Sequence, residues 1–156
     1  MKRIKKPLFI VLTFLWLGVI FSFSLQSGEE SSDVSFGVLR KLLALFSPGL
    51  AESFNLIPQE QLQLLHTIFR KCAHFSEYLI LGVLASIALS QMNFRHKVLL
   101  GMSFCFLSAA ADETLQRFVS GRAGRFTDVL IDSAGALTGI GIIFLILRMI
   151  KRKKYP

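Results

Sequence analysis

Residues Pro7–Gly28 read PLFIVLTFLWLGVIFSFSLQSG, a run without a single charge. A hydrocarbon core roughly 30 Å thick is crossed by about 20 apolar residues, and this run is long enough. It also fits the start of a signal peptide, with Lys2, Arg3, Lys5 and Lys6 before it and Ser22 and Ser24 as small residues near a cut. Those serines are poor cleavage signals, and the apolar run continues past them, so a retained span is the better reading. The rest of the composition agrees. Of 156 residues, 53% are hydrophobic and 18% charged, 15 are Phe, and the mean hydropathy is +0.56. So few polar groups cannot clothe a water-soluble domain of this size, and disorder, a collagen repeat and a disulfide scaffold are excluded with it. Cys72 and Cys105 lie in apolar helical contexts without zinc spacing and read as inert thiols. The length suits one membrane domain over residues 1–156.

Three further uncharged stretches, Leu79–Phe94, Val98–Ala111 and Ser133–Leu147, are shorter than a span requires. Their helices must borrow flanking residues, and those flanks carry ionisable groups. Spans are expected near residues 8–27, 73–92, 98–116 and 127–147. With the N-terminus inside, the inner face holds Lys2, Arg3, Lys5, Lys6, Arg95, Lys97, Arg148 and Lys151–Lys154 and no acid, while all 10 acids fall outside. That positive-inside pattern puts both termini in the cytoplasm of a multi-pass cell-membrane protein. Anionic lipid headgroups account for the net charge of +8 without nucleic acid. Outside, Ser32 is a candidate cap for an amphipathic helix running to about Phe46, closed by Ser47–Pro48–Gly49, and a second helical stretch starts at Pro58. Both suit the outer leaflet or the bundle mouth. His66 and His96 read as exposed interface residues.

Ionisable groups inside a membrane are costly, so each needs a partner or a task. Measured from the inner end of each expected span, Ser24 lies about 24 Å along, Glu77 about 22 Å, Asp112 about 21 Å and Asp132 about 22 Å. Four helices therefore bring polar groups to one depth. His74, Glu77 and Tyr78 share a face at i, i+3 and i+4; Asp112 and Gln116, and Asp128 and Asp132, repeat the i, i+4 spacing, and Glu113 stands three before Gln116. Gly135 and Gly139 permit close helix approach. Asp128, beside Thr127 at a helix start, suits a dipole-favouring structural role first. Arg70, Lys71, Arg117, Arg122 and Arg125 are available to neutralise the acids. His74 with carboxylates is compatible with zinc or a harder ion, yet no spaced metal motif is present, so neither metal nor cofactor is expected. The segment Ser120–Arg125, with Gly121, Gly124 and two guanidiniums next to a helix start, suits an anion.

Arg70–Tyr78 (RKCAHFSEY) followed by Leu81–Gly82, then Asp112–Arg122 (DETLQRFVSGR), then Asp128, Asp132 and Gly135 stand in the order of the motifs of VanZ-like membrane proteins. The first helix, with Trp16 and Ser22–Ser27, is similar too, and the resemblance covers nearly the whole chain. That family often has Asn where this chain has Asp132. The resemblance implies a small multi-span envelope protein, from a family whose founding member is linked to teicoplanin resistance.

The expectation is an all-α, four-helix membrane bundle with one or two external amphipathic helices over an outward-facing polar pocket. Three functions fit it. One is binding of an amphiphilic, lipid-anchored or glycopeptide ligand by His74, Glu77, Tyr78, Asp112, Glu113, Gln116, Arg122, Asp128 and Asp132. Another is catalysis on an outer-leaflet lipid or polyprenyl phosphate, with His74, Glu77, Asp112 and Glu113 as candidates and Arg122 as a phosphate clamp facing Glu77. The third is a structural partnership in an envelope complex.

Overall fold

A computed structural model describes residues 5–46, 57–93 and 95–154. Five helices follow in order: α1 (Lys5–Ser24), α2 (Gly28–Phe46), α3 (Gln59–Ser90), α4 (Lys97–Gln116) and α5 (Phe126–Lys154). The described residues contain no strand. Four helices, α1, α3, α4 and α5, are long and apolar enough to cross a membrane. The chain is an all-α membrane bundle, as expected. Ser47–Pro48–Gly49, Lys2, Arg3 and Pro156 lie outside the described residues.

The bundle is apolar outwards and small inwards. Leu8, Phe14, Leu15, Leu99, Leu107, Leu137 and Phe144 are exposed around its flanks, where lipid tails replace water. Inside, Ile20, Tyr78, Leu81, Ala85, Cys105, Ala109, Val129 and Ala136 make the core. Lipid is as apolar as Leu, so helices gain by close backbone approach rather than by burying bulk. The α3–α5 contact shows this directly. A methyl group added at Gly82 would collide with the Ala136 backbone, one at Gly135 with Phe75, and one at Gly139 with Leu79. The close approach read from Gly135 and Gly139 is therefore present. The first helix joins by Trp16, whose indole Nε1 donates to the Glu77 carbonyl at 2.8 Å, and by the edge-to-face ring pair Phe14–Phe104 at 6.1 Å.

Two expectations about the amphipathic segments change. Ser32 is not a cap; its hydroxyl donates to the Gly28 carbonyl one turn back, inside the helix. The cap is Ser27, whose hydroxyl accepts from the Glu30 amide at 3.2 Å while Glu30 Oε2 accepts from the Ser27 amide at 2.9 Å. This reciprocal pair satisfies two amides that a helix start leaves bare. The stretch after Pro58 is not a separate helix but the beginning of α3, 32 residues long. Nothing between Gln59 and Leu81 breaks a helix, so the rod runs on for about 48 Å, well beyond a hydrocarbon core roughly 30 Å thick. α2 packs against its protruding part, where Phe36 stacks on His66 with ring centroids 4.6 Å apart. His66 is thus half-buried rather than an open interface residue, whereas His96 is exposed.

Candidate polar site in the bundle

Of the groups expected at one depth, Asp112 and Asp132 meet, Ser24 joins them through Gln116, and on α3 the meeting residue is His74 rather than Glu77. His74 from α3, Asp112 and Glu113 from α4 and Asp132 from α5 each bring one potential ligand atom within 4.8 Å of all the others. All four residues are buried; Asp112 and Asp132 are 0% exposed. Helix geometry explains the convergence. His74 and Tyr78 are one turn apart on the inner face of α3, Asp112 and Gln116 on that of α4, Asp128 and Asp132 on that of α5. Small residues between α3 and α5 let the backbones close enough for short side chains to meet.

Gln116 holds the cluster to the first helix. Its amide nitrogen lies 3.2 Å from Ser24 Oγ, 3.2 Å from Asp112 Oδ2 and 3.3 Å from Glu113 Oε1. Ser24 is buried, while Ser22 faces outward and donates to the Val19 carbonyl. Glu113 is anchored a second time, since its Oε2 accepts the Arg125 amide at 2.8 Å. That amide stands at the start of α5, so the chain's own carboxylate takes a donor that the Ser120–Arg125 segment was expected to offer an external anion.

Arg122 has a different task from the one read in the sequence. Its Nε donates to the Gln26 carbonyl at 3.1 Å, Nη2 to the Phe23 carbonyl at 2.9 Å, and Nη1 lies 3.5 Å from Gln116 Oε1. It closes the end of α1, where the last carbonyls lack helical partners. Among the described residues it forms no ion pair with Glu77, whose half-buried side chain lies one turn after His74 along α3. Backbone joins the same corner: the Gly28 amide donates to the Ser120 carbonyl at 3.0 Å, and Gly121 adopts φ +72°. That φ favours glycine, and a methyl at Gly28 would strike the Gly121 backbone.

Asp128 stands apart. Lys71 Nζ reaches its Oδ1 at 2.9 Å, which settles it as the ion-paired first-turn acid of α5. The sequence offered Lys71 only as one of several neutralising cations.

The remaining groups are left without partners. His74 Nδ1, Tyr78 Oη, Asp112 Oδ1 and both carboxylate oxygens of Asp132 are buried and make no hydrogen bond. His74 Nδ1 and Asp132 Oδ1 approach to 3.4 Å, longer than the 2.7–2.9 Å usual for a charged N–H···O bond. Buried polar atoms are nearly always paired, so four unpaired ones on three converging residues, with the Tyr78 hydroxyl one turn from His74, set this place apart. Chemically, the cluster can hold a cation, share protons, or receive a polar headgroup. The first option does not require a spaced sequence motif, because the four groups come from three helices.

A family model described as VanZ/LLP1 matches residues 9–148. Comparison with curated proteins and with solved structures finds no match.

Proposed function

The chain belongs to the VanZ/LLP1 family, and from that membership and the buried cluster we propose that it is an envelope membrane protein whose polar site takes the headgroup of an amphiphilic or lipid-anchored ligand. The site faces outward, because Arg95, Lys97 and Arg148 mark the other end of the bundle as cytoplasmic. One observation carries the reading: His74, Asp112 and Asp132, which approach within 4.8 Å of one another, carry buried polar atoms without partners. A cluster kept only to hold helices together gains nothing from such atoms, since each unpaired buried group costs about 1–3 kcal/mol and more when charged. His74, a turn nearer the outer end of α3 than the half-buried Glu77, stands toward the mouth through which a headgroup arrives. Glycopeptide susceptibility is the phenotype through which a lipid-anchored envelope ligand is read, and teicoplanin is the probe.

The test replaces Asp112→Asn and His74→Ala singly and compares teicoplanin inhibition with a deletion strain, after folded protein has been measured in the membrane. Variants at normal level that behave as the deletion support the reading. Variants at normal level that behave as wild type sink it and leave a structural partnership.

A second reading rests on the His74–Asp132 approach at 3.4 Å. An imidazole beside a buried carboxylate is the arrangement of an oriented general base. It supports catalysis on an outer-leaflet lipid or polyprenyl phosphate. Lipid analysis of the deletion strain decides, because an enzyme alone leaves a substrate accumulated and a product missing.

A further inference from the structure

We propose that His74, Asp112 and Asp132, with Glu113 as the fourth group, hold one divalent transition-metal ion of the zinc or manganese kind. The proposal deepens the headgroup-binding reading by naming what occupies the same site. Geometry carries it. Ligands about 2.1 Å from a single ion are roughly 3.4 Å apart when tetrahedral and about 3.0–4.2 Å apart when octahedral. The four ligand atoms all lie within 4.8 Å of one another, and His74 Nδ1 sits 3.4 Å from Asp132 Oδ1. That separation is too long for a strong charged hydrogen bond and right for two atoms that share an ion.

Pairing gives a second and separate argument. Asp132 is fully buried with both oxygens unpartnered, and Asp112 keeps Oδ1 free while Gln116 holds Oδ2. The Tyr78 hydroxyl, outside the acidic set but one turn from His74, is also buried and unpartnered. Glu113 is fixed through both oxygens by Gln116 and the Arg125 amide, and Gln116 is fixed by Ser24 and Arg122. Groups that orient ligands from behind are the usual support of a metal site.

Charge gives the third. Asp112, Glu113 and Asp132 bring three carboxyls into a low-dielectric interior, and the two salt bridges among the described residues set only His74 beside this set, because Lys71 serves Asp128. A divalent ion offsets most of that charge. With the ion in place a phosphate headgroup meets far less negative charge than the three carboxyls present alone. The donor set selects the ion. One imidazole with carboxylates and no thiolate suits zinc or manganese; calcium and magnesium prefer oxygen alone, and copper(I) prefers sulfur.

The full chain, purified in lipid nanodiscs without chelator, tests this with zinc and manganese alone as probes. Bound metal per chain and melting temperature are both read, first as purified, then after chelation, then after adding back each ion in phosphate-free buffer. Expected are about one ion per chain and a rise of roughly 5–10 °C at saturating metal. Asp132→Asn and Asp112→Asn should weaken binding at least ~10-fold, and Cys72→Ser, at an exposed thiol outside the cluster, should bind as wild type. A wild-type chain that neither retains nor rebinds zinc or manganese at millimolar concentration overturns the proposal. So does an Asp132→Asn chain that binds as wild type. If that variant does not accumulate, the wild-type titration and Glu113→Gln decide. A metal-free chain whose cluster variants still alter teicoplanin susceptibility removes the ion and keeps headgroup binding. A metal-loaded chain whose variants have no phenotype keeps the ion and removes that reading.

Discussion

Arg122 shows how far one side chain reaches: its guanidinium joins the end of α1 to Gln116 on α4. Arg122→Lys keeps the charge but loses the planar fork, and should cost about 1.5–3 kcal/mol, read by thermal unfolding of the purified chain. Limited proteolysis at the α1–α2 junction should speed up in the same variant; an unchanged rate would remove the latch from the account. The Ser27–Glu30 cap gives a pH-dependent counterpart. The backbone hydrogen bond from Ser27, and then its hydroxyl, hold the Glu30 carboxyl below its ordinary value. A depressed folded value means that the cap contributes fully above the unfolded pKa and is lost as pH falls through the folded one. Amide exchange in the first turn of α2 should therefore quicken at acid pH beyond the intrinsic trend, and Glu30→Gln should abolish the excess. At this scale the sequence was readable where spacing alone decided. Rise per residue placed Asp112 and Asp132 at one level, and they meet; on α3 it pointed to Glu77, and the residue that joins them is His74, one turn away. It was not readable where carbonyls compete for donors. The Arg122–Glu77 pairing is absent because carbonyls at the end of α1 take the guanidinium, and no pattern in the chain marks that choice.

Among the elements, the α3–α5 contact is the most exacting, because backbone meets backbone at Gly82, Gly135 and Gly139. Gly135→Ala should cost about 1–3 kcal/mol of stability by forcing the helices apart. Gly18→Ala and Gly141→Ala, where an added methyl meets nothing within 4 Å, should show no loss. Thermal melts of the three variants side by side check the contrast; equal losses would mean that glycine acts there through helix propensity and not through contact. Uncharged runs located the spans: α4 and α5 contain the expected ones, while α1 and α3 end at Ser24 and Ser90, a few residues short of the expected 27 and 92. They did not show that the stretch after Pro58 and the second span are one rod, because a change from amphipathic to uniformly apolar pattern looks like a boundary. Only a breaker makes one, and none is present there. The true cap of α2 was hidden for a related reason. Ser27, Ser31 and Ser32 are all competent caps, and Glu30 at the third helical position, which selects Ser27, is itself part of a charged run.

For the molecule as a whole, charge asymmetry is the strongest statement the sequence makes. Reporter fusions after Arg148 and after Gly28 should report opposite faces of the membrane, the first cytoplasmic. Both on one face would remove the four-span topology and the outward site with it. The polar end is also stitched across long stretches of chain: Ser24 to Gln116, Arg122 to Phe23 and Gln26, the Gly28 amide to Ser120. These seams impose an order on biosynthesis. The polar end of α1 waits for Gln116 and Arg122 to be made before it is fastened, and α5 must arrive before Asp132 completes the cluster. A chain stalled after α4 is left with Asp112 and Glu113 without the helix that covers them, at a cost that should destabilise it in the membrane. Pulse-chase should find a chain stopped at Ser120 turned over several-fold faster than one stopped after Arg148, so that the features that build the site also let the cell tell a finished copy from a fragment.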